Sequence, residues 1–320
     1  MSLRSTPHTL TTAAGGALAC LLGLGLLTGC GSGSEPGEGG GADDTLVEET
    51  PGDGHGEGSE GDGPTDAAPE PDTEPDTEAV PDDGSPGMVA LGDSITTGFD
   101  SCGILVDCPE VSWSTGTEPD VESLADRLGI TRTWNEAVSG SRMADLPAQA
   151  RRAAAREPDL VTVLIGANDA CAPTPGAMTE VADFRADFEE AVGIIREGAP
   201  DARLFVASVP DLQRLWEEGR QYPEALQVWR FGICPSMLAE PEALTPQAEE
   251  RRTEVHERVV EYNAALAEVC AEDVNCRYDD GAVFGYTFTA DDLSEWDWFH
   301  PSREGQRALA ELAYERLGEE

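Results

Sequence analysis

Residues 89–98 read Val89-Ala90-Leu91-Gly92-Asp93-Ser94-Ile95-Thr96-Thr97-Gly98. An apolar run ends on a glycine and gives way at once to an acid and a serine. A short continuous apolar run closed by a turn residue suits a strand covered on both faces. Such strands belong to parallel sheets, whose chemistry lies beyond the carboxyl ends of the strands. The stretch is therefore either an ordinary strand-to-helix turn or a turn that holds Ser94 as a nucleophile at the edge of a sheet.

Similar runs recur downstream. Strands are predicted at Met88–Gly92, Arg132–Val138, Leu160–Gly166, Arg203–Val209 and Asn275–Tyr278. Between them lie helical patterns at Val121–Leu128, Met143–Arg156, Val181–Glu197, Leu212–Arg220, Pro246–Cys270 and Arg303–Leu317. Strands alternating with helices predict right-handed βαβ units, an α/β fold and a parallel sheet. The strand ends are then the places to search. The first ends in Gly92-Asp93-Ser94, and the second is followed by Asn135-Glu136-Ala137-Val138-Ser139-Gly140. The third ends in Gly166-Ala167-Asn168-Asp169, and Asp297-Trp298-Phe299-His300-Pro301 precedes the last helix.

A serine needs a base, because at its free pKa it is a poor nucleophile. The chain has four histidines. His8 and His55 precede the predicted domain, which leaves His256 and His300. His256 sits in a highly charged helical stretch, Glu249 to Asn263, and is expected to face solvent. His300 lies in a turn three residues after Asp297, a spacing that puts both on one face of a helical turn. Asp297 then accepts from one ring nitrogen while the other faces Ser94. Backbone N–H groups of Ser94 and Gly140, with the Asn168 amide, are expected to converge on a developing oxyanion. Asp93 and Asp169 are read as structural, bonding turn backbone.

On these blocks, from Met88 to the C-terminus, the sequence resembles the SGNH, or GDSL, hydrolase family. The resemblance implies a three-layer α/β/α sandwich with a five-stranded, mainly parallel sheet. It implies a catalytic set of Ser94, Asp297 and His300, with Gly140 and Asn168 in the oxyanion hole. It implies serine ester hydrolysis through an acyl-enzyme, with no metal and no cofactor. No Gly-x-Ser-x-Gly elbow is present, which argues against the larger α/β-hydrolase fold. Finer matches are similar to a phospholipase-B-like branch: Ser112-Trp113-Ser114-Thr115-Gly116, the stretch Ser141 to Arg152 containing Asp145-Leu146-Pro147-Ala148-Gln149, and Asn168-Asp169-Ala170-Cys171. They point to acyl esters, phospholipids among them. Trp113 equally reads as loop packing. The insertion from Leu212 to Leu238 reads as a lid, an acyl-binding wall or ordinary packing. A carbohydrate O-acetylesterase and a non-catalytic ligand-binding lipoprotein are the alternatives.

The N-terminal region reads differently. Arg4 precedes an apolar run from about Ala13 to Leu27, too short to span a bilayer with ease and suited to a secretory signal. Leu27-Thr28-Gly29-Cys30 resembles a bacterial lipobox, which implies residues 1–29 as signal peptide and Cys30 as a lipid-modified N-terminus. An uncut anchor is the other reading. Residues 30–87 are rich in Gly, Pro and acids, with 18 acids, no aromatic residue and no Arg from 31 to 87. Such a segment is expected to be a disordered tether spanning on the order of 40 Å as an unperturbed coil. Its acids lack the ordered ligand spacing of a calcium loop.

Residues 88–320 hold 45 acids against 19 bases, within a whole-chain net charge of −43. Nucleic acid is excluded as a partner by charge repulsion. The expected partners are an acyl-ester substrate and, through the anchor, a membrane; the expected state is a monomer. Of eight cysteines, six lie in the domain: Cys102, Cys108, Cys171, Cys234, Cys270 and Cys276. An even set in an exported chain favours disulfides. The two local pairs, Cys102–Cys108 and Cys270–Cys276, are expected, which leaves Cys171–Cys234. Zinc is disfavoured by the absence of C-x-x-C and the shortage of histidine. The expected location is the outer face of the cell membrane.

Overall fold

The computed structural model describes residues 84–318. The expected signal peptide, Cys30 and nearly all of the expected tether lie outside the described residues.

Strand β1, Gly87–Gly92, is buried at all six positions, as is β3, Leu160–Leu164, at all five. Both are central strands, so their apolar runs meet helices on each face. Strand β2, Arg132–Asn135, and strand β5, Cys276–Tyr278, are half-buried edges. Strand β4 is Arg203–Val206. The sheet order is β2-β1-β3-β4-β5, and every pairing is parallel. Each observed strand but β1 is shorter than its apolar run predicts. Ala207-Ser208-Val209, for example, is buried beyond the end of β4, and Ala207 still donates to the Val163 carbonyl of β3 at 2.9 Å.

Ten helices link these strands among the described residues. They are α1 Leu124–Leu128, α2 Leu146–Ala154, α3 Ala167–Ala170, α4 Val181–Gly198 and α5 Leu212–Gly219. The remainder are α6 Pro223–Trp229, α7 Pro235–Leu238, α8 Pro246–Ala271, α9 Ala282–Gly285 and α10 Arg303–Gly318. Helices α2, α4 and α8 pack side by side in one layer, while α1 and α10 pair in the other. The result is the expected three-layer sandwich. Local signals set the helix ends. Ser123 caps α1 by accepting from the Asp126 N–H, so the helix begins later than the apolar pattern from Val121 suggests. Thr245 caps α8 ahead of Pro246. None of these helices is long and apolar enough to cross a membrane.

All three expected disulfides form: Cys102–Cys108, Cys171–Cys234 and Cys270–Cys276. The chain runs from β1 to β2 on one side, then crosses back to β3 on the other. The switch point, where a parallel sheet opens a crevice, thus lies between the ends of β1 and β3.

Candidate active site

The turn after β1 is built around Gly92. Its φ is +153°, and a Cβ there would sit 2.3 Å from the Leu164 carbonyl and 2.6 Å from Thr96 Oγ1. Only glycine lets β1 end this close to β3. Two fully buried glutamines hold the turn from opposite layers. Gln149 of α2 accepts from the Gly92 N–H at 2.8 Å and donates to the Gly92 carbonyl at 2.8 Å. Gln306 of α10 donates to the Ile95 carbonyl at 2.8 Å and accepts from the Trp113 N–H at 2.8 Å. The Trp113 indole donates to Thr96 Oγ1 at 3.2 Å, and the residue is 1% exposed. Its loop-packing role is therefore the observed one, and it supports the turn from below.

Ser94 comes out of this turn 8% exposed. Its Oγ lies 2.8 Å from His300 Nε2, and His300 Nδ1 lies 2.5 Å from Asp297 Oδ2. The other carboxylate oxygen of Asp297 accepts from the N–H groups of Phe299, at 2.9 Å, and His300, at 3.0 Å. The turn that allows this puts Trp298 at φ +56°, a left-handed conformation strained for a non-glycine residue. Burial alone would raise the Asp297 pKa, but the bonds from His300 and the backbone hold it below the usual carboxylate value. Asp297 thus stays an anion held against the imidazole.

The three expected oxyanion donors follow the ends of β1, β2 and β3. Among the described residues, the backbone N–H groups of Ser94 and Gly140 donate to no protein acceptor. Gly140 has φ +83°, and open space lies where a Cβ would be. Glycine is thus needed there for its dihedral and not for close approach. Asn168, in α3 just after β3, uses one amide hydrogen on the Ser141 carbonyl at 3.0 Å, which leaves its second amide hydrogen available.

Asp93 and Asp169 are structural. Asp93 Oδ1 accepts from the Ile95 N–H at 3.0 Å, and complete burial raises its pKa to about 7. Asp169 accepts from Thr179 Oγ1 at 2.7 Å and the Met143 N–H at 2.9 Å; burial raises it to about 6. The sign of the Asp93 effect on stability follows. Between pH 3.8 and about 7 the unfolded chain ionises this group while the native state keeps its proton, so stability falls as pH rises across that window and then levels. Asp93→Asn keeps the acceptor for Ile95 and never ionises. We expect it to raise the melting temperature at pH 8 and leave it nearly unchanged at pH 4. Thermal unfolding of both proteins at the two pH values tests this, and a uniform loss at both would overturn it.

His256 departs from expectation. It is half-buried, with Nδ1 3.1 Å from Asp211 Oδ1, and its ring packs 5.8 Å from that of Phe284. The charged helix pattern hid this partner, because Asp211 comes from the cap of α5. The ring stands apart from Ser94, whose Nε2 partner is His300. In the insertion, Trp216 and Trp229 are buried packing residues. Leu212 and Leu215 of α5 line a small apolar cavity beside the nucleophile turn, so this part of the insertion is a wall.

Two clusters among the described residues bring three potential metal ligands together. In Cys102-Cys108-Glu110 the thiols are tied in a disulfide. In Asp100-Asp297-His300 the ligand atoms of Asp297 and His300 already bond one another. Neither donor set offers free ligands for a resident ion. The arrangement instead places a serine hydroxyl, an imidazole and a carboxylate in one hydrogen-bonded line, a geometry that can support acyl transfer.

A family model described as GDSL-like Lipase/Acylhydrolase family matches residues 90–308. A comparison with curated proteins finds no match. Solved structures similar to this chain include one described as TesA, at 17% identity and TM-score 0.44, covering 72% of this chain and 98% of that one. An extracellular lipase from Streptomyces rimosus is 19% identical with TM-score 0.43, covering 72% of this chain and 100% of the lipase. A family 3 carbohydrate esterase from Clostridium thermocellum is 16% identical with TM-score 0.43, covering 72% of this chain and 94% of the esterase.

Proposed function

The chain belongs to the GDSL-like lipase/acylhydrolase family, whose members hydrolyse esters, and from that premise we propose that Ser94, His300 and Asp297 are its catalytic residues. The observation that carries this reading is the unbroken line from Ser94 Oγ through both ring nitrogens of His300 to Asp297. Ser94 Oγ attacks the ester carbonyl while His300 Nε2 takes its proton. Charge moves to the carbonyl oxygen, where the N–H groups of Ser94 and Gly140 and the Asn168 amide receive it. Each such donor is worth about 2.7–4 kcal/mol in the transition state. The tetrahedral intermediate collapses, the C–O bond to the alcohol breaks, and His300 returns the proton to the leaving oxygen. Water then attacks the acyl-serine by the same route in reverse, with His300 again the base.

The substrate is a short-chain acyl ester. The apolar cavity bordered by Ile95, Ala167, Leu212, Leu215, Phe288 and Phe299 offers roughly 20 Å³. Ile95, Ala167 and Phe299 are the chain neighbours of Ser94, Asn168 and His300, which supports this cavity as the acyl site. One water needs about 10–15 Å³ on this measure, so the space suits a chain of a few carbons and closes to a long one. Leu215→Ala is expected to move the optimum among p-nitrophenyl esters from the acetyl–butyryl range to longer chains, by about five- to tenfold in kcat/KM ratio. An unchanged chain-length profile would remove the cavity from the reading. The same size favours a second substrate class, O-acetylated carbohydrate, for which acetyl-only activity is the sign. Phospholipid hydrolysis requires the wall to open.

The three disulfides support an oxidising compartment. With the lipobox-like stretch they support a lipoprotein held through Cys30 at the outer face of the cell membrane, or released from it, with residues 1–29 removed and the hydrolase domain at 88–320 on its acidic tether.

A further inference from the structure

A second buried acid lies behind Asp297. Asp100 follows Ser94 by six residues and is 2% exposed. One of its oxygens, one from Asp297 and a ring nitrogen of His300 all lie within 4.8 Å of one another. Its surroundings fix it in place. The Asp100 N–H donates to the Val106 carbonyl at 3.0 Å, and Ser294 Oγ donates to the Asp100 carbonyl at 2.7 Å. The Leu105 N–H donates to Oδ1. Its φ of +58° is one an aspartate seldom adopts. The Cys102–Cys108 disulfide closes the loop that supplies Leu105 and Val106, and Phe99 sets its ring edge-on to His300 at 5.0 Å.

Two buried carboxyls at this spacing do not both stay charged. The donors decide which keeps the proton. Asp297 receives the His300 ring and two backbone N–H groups, while Asp100 Oδ1 receives one. Burial, then repulsion from Asp297, push Asp100 above the usual carboxylate range. Asp107 of its own loop and Asp291, Glu295 and Glu304 across the adjoining cleft add negative charge; Arg303 opposes them.

The geometry points to Asp100 as a positioning residue: a neutral carboxyl that donates a hydrogen bond to Asp297 and fixes the edge Asp297 turns to His300. This rests on the proposed roles of Asp297 and His300. As imidazolium forms, Asp297 must stay aligned with Nδ1, and the bond from Asp100 adds a donor to the two backbone N–H groups that hold it.

Asp100→Asn and Asp100→Ala discriminate, measured beside Ser94→Ala on p-nitrophenyl butyrate with the full pH profile. The asparagine amide donates the same bond without charge, so Asp100→Asn is expected to keep kcat within about threefold, while Asp100→Ala loses about 10–100-fold in kcat with KM little changed. The acid limb of the Asp100→Asn profile is expected to stay where the native enzyme has it. Were Asp100 an anion, removing its charge would move that limb to lower pH. That shift, an Asn variant as impaired as the Ala variant, or a fully active Ala variant would each overturn the proposal. If Asp100→Ala does not fold, the Asn profile alone decides. An active Ser94→Ala variant would instead sink the catalytic assignment itself.

Discussion

Ser94→Ala is expected to lower kcat for ester hydrolysis by about 10⁴–10⁶-fold while the protein stays folded. The loss is large because the covalent route itself disappears. Without Oγ no acyl-enzyme forms, and the remaining oxyanion donors can act only on a water attacking directly. Folding survives because Ser94 Oγ makes one hydrogen bond, to His300, and the turn rests on backbone and on Gln149 and Gln306 instead. Steady-state rates with p-nitrophenyl butyrate, a melting curve and labelling with a fluorophosphonate give the test. Native protein is expected to gain one covalent adduct that the variant lacks. Native-like hydrolysis by a folded variant would show that another group attacks.

How this site could be foreseen follows from where its residues lie. Ser94, Gly140 and Asn168 each follow a strand, and strand ends are marked by local signals that one sequence contains: an apolar run, a glycine, a polar cluster. His300 was reachable by elimination, since four histidines left little choice. The local disulfides were legible from spacing for the same reason, and the long-range bridge followed from the remainder.

Groups whose meaning depends on a distant element were not legible. Gln149 lies on a helix whose local sequence says nothing of its grip on Gly92, 57 residues away. Gln306 reads as one more polar residue on an amphipathic helix, but it is fully buried against a backbone 211 positions earlier. Asp100 looks like a surface loop acid until Leu105, Ser294 and Asp297 surround it. Strand length failed for a related reason. Buried apolar residues after β4 carry the same pattern as strand residues, while only pairing with a neighbour distinguishes them. For His256, charge on its own helix says nothing about Asp211 on another.

Asp297→Asn is expected to cost about 10⁴-fold in kcat near neutral pH, although it changes one oxygen to an amide nitrogen. The backbone dictates the result. Oδ1 of Asp297 accepts from two N–H groups, of Phe299 and His300, so an asparagine must place its carbonyl oxygen there. Its amide nitrogen then occupies the position of Oδ2, facing His300 Nδ1, where the native anion accepts. A donor in that place forces Nδ1 to be an acceptor and moves the ring proton to Nε2. Nε2 faces Ser94 Oγ, and a protonated Nε2 cannot take the serine proton. The variant is therefore held in the wrong tautomer with its geometry nearly intact, and it also loses the anion that stabilises imidazolium. KM should change little, since the acyl cavity and oxyanion donors are untouched. The contrast with Asp100→Asn is the sharper part of the test. The same chemical change is expected to be nearly silent at the neutral acid and crippling at the charged one. Measuring kcat for both variants across pH, with an NMR observation of the His300 ring protons, would show it. Equal losses in the two variants would mean that the charge does not reside on Asp297.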